Sequence, residues 1–150
     1  MRRSLFAGFA IALALPALNA ALADDAIGQI KTKTGDVSVV RHGGKPVPVA
    51  VGDHVFQSDT IITAKGSVGI TFADNSMMSL GPGSQLALDQ FRFDTTTHEG
   101  VFNTSLQKGT LAVKSGQIVQ QTPEAMKIKT PAALLGVRGT EFLVRADGKS

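Results

Sequence analysis

From Gly28 onward the apolar residues of this chain recur at every second position, and no stretch of that region shows the 3.6-residue rhythm of an amphipathic helix. Asp36-Val37-Ser38-Val39-Val40-Arg41 alternates as a half-buried strand should, and Ser67-Val68-Gly69-Ile70-Thr71-Phe72 places Val68, Ile70 and Phe72 on one face. Between such runs stand His42-Gly43-Gly44-Lys45-Pro46, Gly52-Asp53, Ala64-Lys65-Gly66, Asp74-Asn75-Ser76 and Gly81-Pro82-Gly83-Ser84, all of them turn chemistry. Turns return at roughly 8 to 12 residues, the spacing of an all-β sandwich, barrel or solenoid. Short coils with a turn at each corner predict a β-solenoid-like stack of short strands, with a β-sandwich or barrel as the alternative.

Along the chain the same reasoning predicts strands over Val47–Val51, Thr60–Thr63 and Met77–Leu80. Gln85–Asp89 and Gln90–Asp94 continue the alternation, and the polar run Thr95–Gly100 is a projecting loop. Val101–Leu106 and Gly109–Lys114 read as a strand pair turning around Gln107-Lys108. Ser115–Glu124, with Ile118 and Val119 among glutamines, is open between a short strand, a helical turn and an irregular crossing.

The beginning has a different grammar. Met1-Arg2-Arg3 is a positive start, Ser4–Leu15 an apolar core, and Ala21-Leu22-Ala23 a small-x-small exit, the pattern of a cleavable signal peptide over 1–23. The apolar run is shorter than the roughly 18 residues of a spanning helix, so no stable membrane span is expected after cleavage before Asp24. Residues 24–150 then suit a single domain. Removing Arg2 and Arg3 leaves 13 basic against 12 acidic residues, without the basic patch that nucleic acid requires. There is no Cys, Trp or Tyr, so disulfides and a lipidated cysteine are excluded and the core must come from aliphatic residues and six phenylalanines: Phe56, Phe72, Phe91, Phe93, Phe102 and Phe142. Phe91 and Phe93 share a strand face and are read as core.

Chemistry is sparse. His42, His54 and His98 stand in or beside separate turns, too dispersed to form a metal site without help from Asp53 or Glu99. Asp53, His54 and Ser58 suggest a hydrolase triad, but no nucleophile elbow or oxyanion glycines accompany them. Gly52-Asp53 and Asp74-Asn75-Ser76 lack the full spacing of a calcium loop and are better explained as turns. No catalytic residue, cofactor or metal site emerges, and the chain reads as non-enzymatic.

The densest stretch is Lys127–Arg145, where a short strand, the stop at Thr130-Pro131, an apolar step and Gly136-Val137-Arg138-Gly139-Thr140-Glu141 lead into a last apolar run. Gly136, Arg138, Gly139 and Glu141 are the structural or partner-binding candidates. Arg138 is read as structural, bonding carbonyls or pairing with a carboxylate such as Glu141, and a glycine on each side implies tight packing. Ala146-Asp147-Gly148-Lys149-Ser150 reads as a hairpin turn with no return strand, which leaves a sheet edge that is either protected by its charges or completed by a longer form of the protein or by a partner.

Six short segments in order carry a family likeness: Gly35-Asp36-Val37-Ser38-Val39, Val51-Gly52-Asp53, Asp59-Thr60-Ile61-Ile62-Thr63, Ile70–Ser76, Leu80–Ser84, and Thr130-Pro131 through Gly136-Val137-Arg138-Gly139-Thr140-Glu141-Phe142. Together they resemble the FecR protein domain over roughly Ile30–Val144. The resemblance implies a periplasmic, β-rich, solenoid-like domain without enzymatic activity. Its transmembrane members are anti-sigma regulators of iron-siderophore uptake, whereas the signal-peptide pattern makes this chain resemble the stand-alone exported members. Two functions are then expected: a protein-binding or envelope-associated module, or a periplasmic signalling accessory linking an outer-membrane receptor to sigma-factor regulation. The implied partner is an envelope protein, either an outer-membrane receptor or an inner-membrane regulator, and the implied location is periplasmic or secreted.

Overall fold

A computed structural model describes residues 25–148, so the proposed signal peptide lies outside the described residues. Twelve strands and one short helix follow in order: β1 (Ala26–Thr34), β2 (Val37–Val40), β3 (Val47–Pro48), β4 (His54–Phe56), β5 (Thr60–Thr63), β6 (Ser67–Phe72), β7 (Met77–Leu80), β8 (Gln85–Phe93), β9 (Gly100–Lys114), α1 (Gln117–Gln121), β10 (Met126–Lys129), β11 (Leu134–Gly136) and β12 (Glu141–Ala146). The all-β expectation holds.

The solenoid-like stack does not. A solenoid pairs successive coils in parallel, but among the described residues every strand pairing except β9 with β10 is antiparallel. The strands instead form one open sheet in the order β3-β2-β5-β8-β9-β7-β6-β1-β4, with β10 and β12 also paired to β9 and β11 to β10. The sheet curls on itself like half of a barrel, closer to the barrel alternative.

The curl depends on β9, and here the expected strand pair is corrected. Gln107-Lys108 is no turn: β9 runs through it for 15 residues. Its first half pairs with β8 and β10, and its second half pairs with β7 and β12. Gly109 bends the strand without reversing it, at φ +95°, and its Cα faces Ser84 so closely that a Cβ would overlap that residue's backbone. The Ser84 hydroxyl donates to Gly81 O at 2.8 Å and accepts from Thr110 N at 3.0 Å, tying the Gly81–Ser84 turn to the bend. One strand thus feeds both halves of the sheet, and they face each other across the core.

Alternation within each strand fills that core. β6 buries Val68, Ile70 and Phe72, β2 buries Val37 and Val39, and β7 buries Met78 and Leu80. The rings of Phe72 on β6, Phe91 on β8 and Phe102 on β9 meet across the fold, with Phe102 edge-on to the other two at 4.7 and 4.8 Å. Phe91 is core as expected, and Phe93 packs against it from a partly buried position. Asp74 closes the β6–β7 turn by accepting from Ser76 N at 3.1 Å, the backbone bond expected of a short acid in a turn. Ser115–Glu124 resolves as the helical turn α1, held by Ile118 and Val119 in the core and by Gln117 N donating to Asp74 O at 2.8 Å. The predicted Val47–Val51 strand shrinks to β3, where Val47 and Pro48 are both exposed.

Candidate functional site

The corner between β11 and β12 is pinned at both ends and open in the middle. β10 and β11 pair antiparallel, Lys127 opposite Gly136, and two more bonds extend the ladder: Val137 N donates to Met126 O at 2.9 Å, and Glu124 N to Val137 O at 3.0 Å. Val137 is buried. On the far side Ser115 N donates to Thr140 O at 2.7 Å and the Ser115 hydroxyl to Gly139 O at 2.5 Å, starting β12. Arg138 is the one residue left between these anchors.

All four candidates, Gly136, Arg138, Gly139 and Glu141, are exposed. Arg138 pairs through Nε with Glu124 Oε1 at 3.0 Å, not with Glu141, and both partners are more than half exposed at 73% and 52%. The expected tight packing around it is absent. Gly139 has φ +88° with open space where a Cβ would stand, so it serves backbone conformation and not close approach. Gly136 has only the flexible Glu124 side chain near its Cβ position. Beside the corner, Leu134 and Leu135 of β11 are exposed at 65% and 39%. Successive strand side chains point to opposite faces, so Leu134 shares a face of β11 with Gly136, and Leu135 takes the face of the buried Val137. The corner therefore presents an arginine, a carboxylate and one well-exposed leucine on a backbone held from behind.

Among the described residues the most firmly tied charge is elsewhere and has no counterpart among the sequence candidates. Arg41 forms a two-pronged pair with Asp59, Nε to Oδ1 and Nη2 to Oδ2, each at 3.0 Å. Asp59 is buried, and its Oδ2 also accepts from Phe56 N at 2.9 Å. The guanidinium lies 4.8 Å from the Phe56 ring centre. Hydrogen bonding to Asp59 holds Arg41 more firmly protonated than a free arginine, against the opposing effect of burial. A signal for this pair existed: β2 and β5 run antiparallel with Val40 opposite Thr60, and one more step in that register sets Arg41 opposite Asp59.

The remaining polar residues serve turns. Asp53 Oδ2 accepts from Ala50 N at 2.9 Å, and no hydrogen bond links it to His54 or Ser58 among the described residues. His98 stacks on Phe93 at 6.0 Å, His54 lies in β4, and His42 occupies a positive-φ position in the turn after β2. Among the described residues no three histidines or carboxylates gather into a metal-binding group. A hollow of about 760 Å³ opens beside the Thr95–Glu99 loop, lined by Arg92, Asp94, Glu99 and Thr122. Asp94 caps that loop by accepting from Thr96 N at 2.8 Å and Thr97 N at 3.1 Å, the Thr96 bond first, and these draw its carboxyl below the ordinary aspartate range.

Among the described residues no helix is long and apolar enough to cross a membrane. No curated protein and no solved structure matches this chain. The family model described as FecR protein matches residues 59–150, from β5 through the corner and β12. The β1–β4 segment precedes that match but is built into the same sheet, β1 on β6 and β2 on β5. With more than half of its length matched, the chain belongs to the FecR protein family.

Proposed function

We propose that this chain is an exported, non-enzymatic module of the bacterial envelope that works by binding another envelope protein. The observation that carries this reading is the open corner: Arg138 and Glu124 stand exposed, as does Leu134 earlier on β11, on a backbone pinned at Val137 and Thr140. Exposed aliphatic side chains flanked by a charge on a rigid frame are the composition of a docking surface. The family is regulatory and envelope-associated, in keeping with a role in which the domain is held by a partner and acts on no substrate. The leader pattern of residues 1–23 supports export to the periplasm or beyond.

A photocrosslinking residue at Leu134, installed in the full chain in intact cells, tests the binding reading. One envelope protein captured from Leu134, lost in Arg138→Glu and never captured from the equally exposed Val51, supports it. Equal capture at both positions, or none, refutes it. The export reading has its own check: the mature protein should begin at Asp24 by mass spectrometry, and an intact Met1 in the inner membrane refutes it.

A second reading makes the chain a signalling accessory that links an outer-membrane receptor to sigma-factor regulation. The family match is consistent with this role as with the first, and the matched region includes the whole corner. Capture of a receptor's periplasmic portion or of an inner-membrane regulator from Leu134 distinguishes this role from a purely architectural one.

A further inference from the structure

We propose that β12 pairs antiparallel with β12 of a second copy, about a two-fold axis through Leu143. Among the described residues the sheet has four outer strands, and three are short: β3 has two residues and includes Pro48, while β4 and β11 have three each. β12 has six and, among the described residues, pairs on one side only, with β9. A strand of that length with an open side exposes a row of unpaired backbone donors and acceptors, which proteins ordinarily shorten, cover or charge.

The register with β9 determines which groups face outward. Ser115 N donates to Thr140 O, and Glu141 stands opposite Lys114. Hydrogen-bonded pairs alternate along an antiparallel ladder, so Phe142, Val144 and Ala146 direct their backbone groups to β9. The N–H and C=O groups of Glu141, Leu143 and Arg145 point to the open side.

These same three residues carry their side chains on the outer face. Glu141, Leu143 and Arg145 are exposed, Leu143 at 69%, while Val144 and Ala146 are buried. An acid, an aliphatic and a base at alternate positions are self-complementary when two copies run antiparallel. With the axis at Leu143, Glu141 of each copy lies opposite Arg145 of the other, Leu143 lies against Leu143, and the outward backbone groups meet as hydrogen-bonded pairs. Moving the axis to Phe142 sets Glu141 against Leu143 and Arg145 against Gly139. Moving it to Val144 sets Glu141 against Asp147, and a parallel arrangement sets like charge beside like. Only the Leu143-centred register satisfies both the charges and the backbone. Among the described residues the carboxylate of Glu141 has no ion-pair partner, and Arg145 has only Asp147 at 3.9 Å with both side chains at least 80% exposed. Neither charge is committed elsewhere among the described residues.

Sedimentation velocity of the full chain over a concentration series tests the proposal, with circular dichroism confirming that each variant folds. The wild type is expected to form a dimer that weakens as salt rises. Glu141→Arg and Arg145→Glu, taken singly, each set like charges opposite at two places and should weaken the dimer by about tenfold or more. The double exchange should restore it, and an equimolar mixture of the two single variants should form a mixed dimer. A wild type that stays monomeric, or a dimer indifferent to the single exchanges, overturns the proposal. So does a different protein captured from a crosslinker at Leu143 in cells. Because this readout uses purified chain and β12, it fails or succeeds independently of partner capture at Leu134.

Discussion

Replacing Gly109 by alanine tests the claim that one bent strand holds the two halves of the sheet. Two costs are separable. The φ of +95° is foreign to a residue with a Cβ, a strain of about 1–2 kcal/mol. The added methyl also overlaps the backbone and side chain of Ser84, which is itself bonded to Gly81 and Thr110 and cannot retreat freely. Forcing a carbon into such a packed place costs roughly 1–3 kcal/mol. Together they amount to about 2–5 kcal/mol, a large share of the roughly 5–15 kcal/mol by which a domain is stable. Gly139→Ala is the internal control, since Gly139 has φ +88° but open space around its Cβ position. It should show the first cost without the second. With no Trp or Tyr to report fluorescence, far-ultraviolet circular dichroism in a urea series is the suitable assay, and an unchanged slope is required for the comparison. If Gly109→Ala costs no more than Gly139→Ala, the bend is not held against Ser84 and the account of the curl fails.

Asp59→Ala strands the Phe56 N–H and removes both prongs of the Arg41 pair; because Arg41 is 45% exposed and can rehydrate, the loss should be about 1–3 kcal/mol in urea unfolding. Arg138→Ala should cost at most about 1 kcal/mol, since its pair with Glu124 is exposed on both sides, so a large drop in melting temperature would contradict the open geometry of the corner. Thr104 is buried with its Oγ1 lacking a hydrogen-bond partner among the described residues, so Thr104→Val should leave stability unchanged or raise it by up to about 1 kcal/mol; marked destabilisation would reveal a partner for that hydroxyl. The lowered pKa of Asp94 stabilises the fold above the ordinary aspartate range, and this contribution is lost as pH falls through the folded value. Carboxyl-selective NMR should show Asp94 titrating below a free aspartate, and Asp94→Asn should flatten the acid-side decline in stability.

Much of the fold is legible because a strand's inward face is a local property. Val68, Ile70 and Phe72 alternate in the sequence and are all buried, and Asp74-Asn75-Ser76 turns where its side chains can bond the backbone. The apolar run that becomes β12 is legible in the same way. What misled was Gln107-Lys108-Gly109. A polar pair and a glycine look alike whether the chain reverses or bends, and the outcome depends on Ser84, twenty-five positions earlier in the chain.

At the corner, the residues Gly136, Arg138, Gly139 and Glu141 are recognisable by type, but their arrangement is not. Arg138 has Glu124 as its partner because the β10–β11 ladder continues to Val137 and brings Glu124 alongside. A search confined to neighbours in sequence finds Glu141 first. Arg41 and Asp59 are hidden for the same reason: each stands one residue beyond a strand, Arg41 after β2 and Asp59 before β5, and only the β2–β5 register brings them together.

The sequence by itself determined an all-β chain, the inward face of each main strand and membership of the FecR family, since period-two alternation, turn residues and short ordered motifs are all local. Tertiary structure decided that the sheet curls instead of stacking as a solenoid, which acids the arginines meet, and that Glu141, Leu143 and Arg145 lie together on an open edge. Those outcomes depend on register between segments far apart in the chain, and register is specified where strands bury one face against a shared core, here around Phe72, Phe91 and Phe102.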